Sequence, residues 1–236
     1  GFGVYSINLY KGLLQKGIEV KLIPQEISVN VPLYGFFPSL LLYDILLPIK
    51  DFLRKVEADI FHALFESKGI FFPMLGGRKV ITIHHIINRK EFPPRSIKEY
   101  AFSFYWDKSR DISIRSADHI IAVSEQTKTE ILNYYNIPEE TITVINHGIS
   151  DIFRPLNVRK EPLRIGYIGA LNRRKNIDFL IRAFYIFYKR YDAQNCRLVI
   201  CGRGPEREKL IKLTEKLGIR SKVNFTGYVP SKDLVK

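Results

Sequence analysis

The chain has 236 residues, and its 37 lysines and arginines against 24 aspartates and glutamates give a formal net charge of +13 at pH 7. Apolar residues make up 46%, charged residues 26% and aromatic residues 13%. This composition excludes a disordered tail, a collagen-like chain and a small disulfide scaffold. The length allows one large domain or two of ordinary size.

The excess positive charge is concentrated in the last third of the chain. Residues 158–236 carry 19 basic and 7 acidic side chains, whereas residues 1–157 carry 18 and 17. The imbalance indicates an anionic partner for the last third, such as a nucleotide, a nucleic acid or lipid headgroups. A solvated basic surface is the alternative.

The cysteines and the longest uncharged stretch bear on compartment and membrane. Cys196 and Cys201 are five residues apart in extended chain and point to opposite faces, so they cannot bridge each other. A cytoplasmic, reducing compartment fits best, and no His or carboxylate cluster gives the cysteines a metal-binding spacing. Residues 27–43 carry no charge, but they are interrupted by proline and glycine and are shorter than the roughly 20 residues of a spanning helix.

Apolar periodicity predicts alternating helices and strands in the first two thirds of the chain. A helix over residues 7–14 ends near Gly17 and is followed by a strand over residues 20–23. Ser124 is placed to cap a helix over residues 125–135. The remaining strands are predicted at residues 59–62, 79–84, 119–124 and 141–145.

A polar, proline-bearing break over residues 153–162 precedes a second alternating series. Its strands are predicted at residues 163–168, 197–201 and 223–226, and its helices at 176–190 and 205–217. Such alternation predicts parallel sheets, so we expect an α/β protein of two doubly wound modules joined near residue 157. The first module lacks an opening strand and the second has only three, so we expect a fragment cut at both ends.

Three glycine-bearing turns that open helices are candidate phosphate sites, because glycines let backbone N–H groups approach an anion and a helix N-terminus adds a favourable dipole. One contains Gly1 and Gly3, and another contains Gly202 and Gly204. The most basic follows a strand, over residues 169–176, at the edge where open α/β sheets bind ligands. The alternatives are a simple tight turn for the first, a well-made helix start for the second and a solvated loop for the third.

Histidines follow several predicted strands at the same edge. A histidine in that position can contact substrate or transfer a proton, and of the adjacent pair His84 and His85 we favour His84. His62 is expected to be structural. His147 precedes a glycine turn near the module junction, and we include it with Ser124 as a candidate cleft residue.

Several blocks, in this order along the chain, resemble family-four glycosyltransferases of the GT-B fold. The resemblance covers essentially the whole chain, and the Arg-Lys-Asn triplet ending at residue 176 is similar to a branch rich in mannosyltransferases. The blocks are Gly1-Phe-Gly-Val-Tyr, Val80-Ile-Thr-Ile-His, Ser116-Ala-Asp-His-Ile-Ile-Ala-Val-Ser-Glu, Val144-Ile-Asn-His-Gly-Ile, Gly169-Ala-Leu-Asn-Arg-Arg-Lys-Asn, Leu198-Val-Ile-Cys-Gly-Arg-Gly-Pro-Glu and Val223-Asn-Phe-Thr-Gly-Tyr-Val-Pro.

The resemblance implies two Rossmann-like doubly wound domains facing a cleft. Residues 1–157 would form the acceptor-side domain, and residues 158–236 an incomplete domain for the nucleotide-sugar donor. The implied activity is transfer of a hexose, of mannose or glucose type, from a nucleotide-diphosphate sugar to a glycan or lipid-linked acceptor with retention. Neither a cofactor nor a metal is implied.

The resemblance also assigns roles to residues. Arg174 and Lys175 would stabilise the departing nucleotide diphosphate, and the loop of Gly1 and Gly3 would approach the same phosphates. His84 would contact the sugar near an oxocarbenium-like transition state.

The base or ribose of the donor would lie against a second set of residues in the last third. Its members are Gly202, Gly204, Tyr228 and Val229. Closure of the two domains would exclude water, the competing acceptor.

Three departures from the family pattern affect these expectations. His85 stands where the family usually has Asp, which leaves the support of His84 open. Ala170 stands where many members have a phosphate-binding Arg. The family's pair of glutamates is expected beyond residue 236, so we expect this fragment to be weakly active or inactive.

Two other functions stay open. The charge of the last third would suit a basic nucleic-acid-binding module whose affinity falls steeply with salt. Against nucleic acid as a partner, the nearby aromatic residues lie mostly in one predicted helix, where core packing is the default. The other alternative is a GT-B sugar-nucleotide epimerase-like enzyme.

Residues 31–53 suggest contact with a membrane surface. Their apolar side chains are flanked by Lys50, Arg54 and Lys55, as in an interfacial element. The hypothesis is peripheral binding at the inner membrane face, and a core helix is the alternative. Absence of binding to vesicles at low salt would remove the hypothesis.

Overall fold

A computed structural model of the chain describes residues 2–22, 57–87, 93–150, 152–154, 164–231 and 233–234. The chain divides into two compact units, residues 1–148 and residues 149–236. The division falls earlier than the predicted junction at residue 157, which lies in a stretch outside the described residues. Gly1 and the proposed interfacial element at residues 31–53 lie outside them as well.

The first unit contains a four-stranded parallel sheet. Its strands, in spatial order, are β1 (Ile60–Ala63), β2 (Arg78–Ile83), β3 (His119–Ala122) and β4 (Ile142–Val144). Its helices are α1 (Phe2–Gln15), α2 (Ile97–Arg115) and α3 (Glu125–Tyr134). Because every neighbouring pair is parallel, the carboxyl ends of the strands lie along one edge of the sheet.

Fully buried aliphatic side chains of the two central strands form the core of the first unit. Ile81 and Ile83 of β2 and Ile120 of β3 are at most 2% exposed, and they pack with Ile114 of α2 and Ile131 of α3. Each such side chain contributes about 1.5–3 kcal/mol by leaving water. This packing holds the central strands, and therefore the residues that follow them, in a fixed register.

The second unit contains a three-stranded parallel sheet. Its strands, in spatial order, are β5 (Arg164–Ile168), β6 (Arg197–Cys201) and β7 (Val223–Gly227). Helix α4 (Ile177–Arg190) connects β5 to β6, and α5 (Arg207–Lys216) connects β6 to β7. The core lies between β6 and the two helices, where Leu198, Ile200 and Phe184 are at most 2% exposed.

Most predicted elements are confirmed to within a few residues. The Ser124 hydroxyl caps α3 by accepting a hydrogen bond from the Thr127 backbone N–H at 3.1 Å. Gly17, just beyond α1, has a φ of +75°, which glycine adopts without the penalty of a side chain. The sequence-predicted aromatic core of α4 is confirmed for Phe184, but Phe179 is 65% exposed.

Two elements differ from the prediction. The strand expected at residues 20–23 is wrong for residues 20–22, which have no strand pairing within the described part of the chain; a strand exists only where a neighbour completes its hydrogen bonds. Helix α2 was missed, although Ser96 and Glu99 give its capping signal. The Ser96 hydroxyl accepts from the Glu99 N–H at 3.1 Å. Among the residues that the structure describes, no helix has the length and apolar character needed to cross a membrane.

Candidate active site

In the first unit, a histidine cluster lies at the carboxyl edge of the sheet. His84 follows β2 directly and His147 follows β4. Their rings stack with centroids 5.1 Å apart, and His84 Nδ1 lies 3.2 Å from His147 Nε2. Tyr5 of α1 packs edge-on against His84, with centroids 5.0 Å apart. The structure thus brings together two of the predicted site residues and adds Tyr5.

The hydrogen bonds of His84 assign its tautomer. Its Nε2 lies 3.1 Å from the carbonyl oxygen of Leu64, and a carbonyl only accepts, so we place the ring proton on Nε2. Nδ1 then carries a lone pair and accepts from His147 Nε2–H. Burial lowers the pKa of His84, and the nearby Glu66 carboxylate opposes that shift. The neutral His84 ring therefore has a fixed orientation, with Nδ1 as its acceptor atom.

A second hydrogen-bonded group adjoins this cluster through Tyr5. The Thr82 hydroxyl, fully buried in β2, lies 2.8 Å from His62 Nε2 and 3.1 Å from the Tyr5 hydroxyl. Burial lowers the pKa of His62 from 6.5 to about 4, so the ring is neutral near pH 7. The Thr82 hydroxyl therefore connects His62 of β1 and Tyr5 of α1 to β2.

We expect the first unit to lose stability as the pH falls from about 6.5 towards 4. Between these values unfolded His62 binds a proton that the folded side chain resists, so the free energy of unfolding rises with pH. The lowering of the pKa from 6.5 to about 4 corresponds to about 3 kcal/mol. His62→Gln should flatten this dependence, measured by urea unfolding followed through the fluorescence of Trp106, the sole tryptophan.

His119→Gln is the matched control for that measurement. His119 Nε2 lies 2.9 Å from the Thr143 hydroxyl, so it makes the same type of bond at the exposed surface of the same sheet. If both substitutions flattened the pH dependence equally, the partial burial of His62 would not be its cause.

The remaining predicted residues of the first unit hydrogen-bond to their neighbours or lie within a helix. Ser124 caps α3 and its hydroxyl also lies 3.0 Å from the Thr127 hydroxyl. The His85 N–H donates to Glu66 Oε1 at 3.1 Å. Gly3 lies in the first turn of α1 rather than in a loop before it.

Sequence reasoning missed Tyr5 and Glu66. Glu66 follows β1 at the same carboxyl edge as His84, so the rule that selected His84 could have selected this carboxylate. Tyr5 carried no such signal, because its contact with Thr82 spans 77 positions of the chain.

In the second unit, three consecutive cations lie between β5 and α4. They form a short 3-10 turn, Arg173–Lys175, and all three are exposed. Asn176 ends this turn in a left-handed conformation with φ +49° and directs the chain into α4. Burial raises the pKa of the Tyr167 hydroxyl, and the positive charge of Arg174 partly offsets this. The turn therefore presents its charge at the carboxyl edge of the sheet.

Backbone hydrogen bonds connect the loops that follow the three strands. Gly169 N–H donates to the Cys201 carbonyl at 2.9 Å, Leu171 N–H to the Arg203 carbonyl at 2.9 Å, and Gly202 N–H to the Gly227 carbonyl at 2.7 Å. Together these bonds hold the cation-bearing loop in place.

The two glycines after β6 lie where other loops approach them. A Cβ on Gly202 would overlap the carbonyl oxygen of Gly169, and a Cβ on Gly204 would overlap that of Leu171. Gly202 also has a φ of +148°, a conformation essentially confined to glycine. Both glycines are therefore required for packing, whether or not a nucleotide contacts them.

An exposed aromatic ring lies beside this loop cluster. Tyr228 follows β7, is 65% exposed, and lies 5.9 Å from the Arg203 guanidinium, a cation–π contact. Val229 beside it is half-buried. An exposed ring with a neighbouring cation is suited to stack against a base. Contact between Tyr228 and the base or ribose of the donor stays a prediction.

Residues typical of metal sites do not cluster in the described ranges. No group of three or more His, Cys, Asp or Glu side chains there could hold a metal ion. Metal independence therefore stays a prediction.

Two family models together match the chain. The model described as Glycosyltransferase Family 4 matches residues 1–151, and the one described as Glycosyl transferases group 1 matches residues 149–236. The two matches meet where the structure divides the chain into units.

Curated relatives are glycosyltransferases. An uncharacterized glycosyltransferase of Methanocaldococcus jannaschii is 32% identical over 53% of this chain and 35% of its own length. The O-antigen chain mannosyltransferase B of Escherichia coli is 26% identical over 72% of this chain and 47% of its own length. The alpha-D-kanosaminyltransferase of Streptomyces kanamyceticus is 24% identical over 88% of this chain and 58% of its own length. The chain thus spans about a third to three fifths of the lengths of these relatives.

Solved structures match in fold. WaaG, a glycosyltransferase involved in lipopolysaccharide biosynthesis, matches with a TM-score of 0.62 and 14% identity over 99% of this chain and 68% of its own. HepE of Anabaena, solved with UDP and glucose, matches with a TM-score of 0.59 and 18% identity over 93% of this chain and 59% of its own. At these identities the likeness shows the two-sheet GT-B fold alone. With the family model matching residues 1–151, it follows that the chain belongs to glycosyltransferase family 4.

Proposed function

We propose that the protein transfers a hexose, of mannose or glucose type, from a nucleotide-diphosphate sugar to a glycan or lipid-linked acceptor with retention. The exposed turn Arg173–Lys175 carries the proposal, because it presents three cations at the carboxyl edge of the sheet in the second unit. Cations fixed in advance stabilise the negative charge that develops on a departing diphosphate. The similarity to an O-antigen mannosyltransferase supports the sugar and the glycan acceptor.

In the proposed reaction the bond between sugar C1 and the phosphate oxygen breaks, and its electron pair stays on the nucleotide diphosphate. The acceptor hydroxyl oxygen bonds to C1 on the same face of the sugar, and its proton passes to the departing phosphate. Arg174 and Lys175 would neutralise the charge on that phosphate. The proposal invokes neither a cofactor nor a metal.

His84 would bind the sugar through Nδ1. This nitrogen is an acceptor in the assigned tautomer, and its bond to His147 lies at the surface. A sugar hydroxyl can donate to Nδ1 in place of the His147 N–H. Tyr5 and the Leu64 carbonyl would keep the ring oriented during that exchange.

The proposed setting is the cytoplasm, with contact at the inner membrane face where a lipid-linked acceptor would lie. Cys196 and Cys201 are both free thiols, which supports a reducing compartment. The membrane contact rests on the sequence of residues 31–53, outside the described ranges.

Nucleotide binding tests the proposal most directly. Ligand-observed NMR on this chain with GDP, UDP and ADP, and with their hexose conjugates, should detect saturable binding of one base class. Binding of no nucleotide together with binding of a duplex oligonucleotide would instead support the basic-module alternative.

One structural feature favours that alternative. Cationic side chains flank a groove of about 230 Å³ between α4 and α5, which Asp178 of the first turn of α4 also lines. The cations are Arg182, Lys209, Lys212 and Lys216. Binding of the duplex oligonucleotide tests this alternative, because the phosphate backbone of a nucleic acid binds exposed cations such as these.

A further inference from the structure

The carboxylate of Glu66 is buried beside His84 and has no role in the reaction proposed above. Its side chain is 1% exposed. Oε1 accepts two backbone hydrogen bonds, from the His84 N–H at 2.9 Å and the His85 N–H at 3.1 Å. Oε2 is buried with no hydrogen-bond partner in the described part of the chain.

These bonds replace the pairing that the backbone loses where β2 ends. The ladder with β3 is registered as far as Ile83, and beyond it the N–H groups of a buried segment need other acceptors. Glu66 supplies one for His84 and His85, and Glu130 of α3 lies 3.4 Å from the Ile86 N–H. Two carboxylates from neighbouring elements therefore hold three successive N–H groups.

Two N–H groups do not by themselves require a charged acceptor. A buried carboxylate with one unpaired oxygen is costly to desolvate, whereas the amide oxygen of glutamine could accept the same bonds at lower cost. The charge lies where it acts on both histidines: Glu66 Oε1 is 3.8 Å from His85 Nδ1, and the carboxylate opposes the lowering of the His84 pKa by burial.

We propose that Glu66 is the positioning residue of the histidine cluster: its buried carboxylate fixes the turn at His84 and His85 and thereby holds His84 with Nε2–H on Leu64 and Nδ1 towards the exposed side. The consequence for sugar binding rests on the proposed function; the effect on the His84 ring does not.

Glu66→Asp and Glu66→Gln in the whole chain test this assignment. Aspartate is one methylene shorter and cannot reach both N–H groups, so we expect amide exchange at His84 and His85 to rise about tenfold. The ¹⁵N shifts of the His84 ring should change from a pure Nε2–H tautomer to a mixture. Glutamine keeps the length and an acceptor oxygen, so exchange should stay within about threefold of wild type.

Asp118→Asn is the matched control. Asp118 Oδ2 accepts from the Lys79 N–H at 2.8 Å, so it holds the opposite end of the same strand β2. The control should leave the His84 ring signals unchanged. Unchanged exchange and tautomer in Glu66→Asp, an equal change in Asp118→Asn, or unfolding of the near-isosteric Glu66→Gln would each overturn the proposal.

A binding measurement separates this proposal from the function on which it rests. Glu66→Asp should reduce the affinity for a nucleotide-diphosphate hexose about tenfold and leave that for the free nucleotide diphosphate unchanged. If wild type bound neither ligand, the proposed function would fail while the ring and exchange signals still decided the role of Glu66.

Discussion

Replacing Arg174 and Lys175 together by alanine is expected to weaken nucleotide-diphosphate binding by about 10- to 100-fold. A charge-assisted hydrogen bond to phosphate contributes about 1.5–3 kcal/mol, and solvent lowers the contribution of each side chain here because both are exposed. The loss should be largest for diphosphates and small for the nucleoside, since the cations recognise charge and not the base. Titration by ligand-observed NMR, with nucleoside and diphosphate in parallel, measures both.

The matched control is Lys189→Ala/Arg190→Ala. It removes the same charge from the last turn of α4, and the 14 residues of that helix place its two ends about 21 Å apart. This distance exceeds the screening length of about 8 Å at physiological salt, so the control should bind diphosphates as wild type does. Equal losses in both variants would indicate attraction to the overall charge and contradict a site at the turn.

Elements that depend on local pattern were predictable from the sequence. Short β-branched runs such as Val80–Ile83 predicted the strands, because alternation and turn residues are local properties. The parallel order then placed His84 and His147 at one edge without any knowledge of their contact. The cationic turn before α4 followed from the same rule.

Contacts between distant segments were not predictable in this way. The Tyr5–Thr82 bond joins residues 77 positions apart, and nothing in either local pattern selects the other. The strand expected at residues 20–23 failed for a related reason: apolar β-branched residues permit a strand, but only a neighbouring strand completes it.

The glycines after β6 show a third limit. Sequence reasoning left two explanations for Gly202 and Gly204, a well-made helix start or close approach of a nucleotide. The structure adds a packing reason, because the carbonyl oxygens of Gly169 and Leu171 occupy the space of a side chain. A requirement for glycine therefore does not identify its ligand, and only a substitution separates stability from binding.

Gly202→Ala is expected to destabilise the second unit by about 2–4 kcal/mol, because its Cβ would overlap the Gly169 carbonyl oxygen and its φ of +148° disfavours any side chain. Gly166→Ala, in β5 of the same unit, is the matched control: nothing lies within 4 Å of its added Cβ, so we expect a change within about 1 kcal/mol. Urea unfolding measures both variants. It is followed by the amide NMR signals of β6, because Trp106 lies in the first unit and its fluorescence reports on that unit. Equal stability of the two variants would contradict the packing explanation, and a stable Gly202→Ala chain that had lost nucleotide binding would make Gly202 a ligand contact instead.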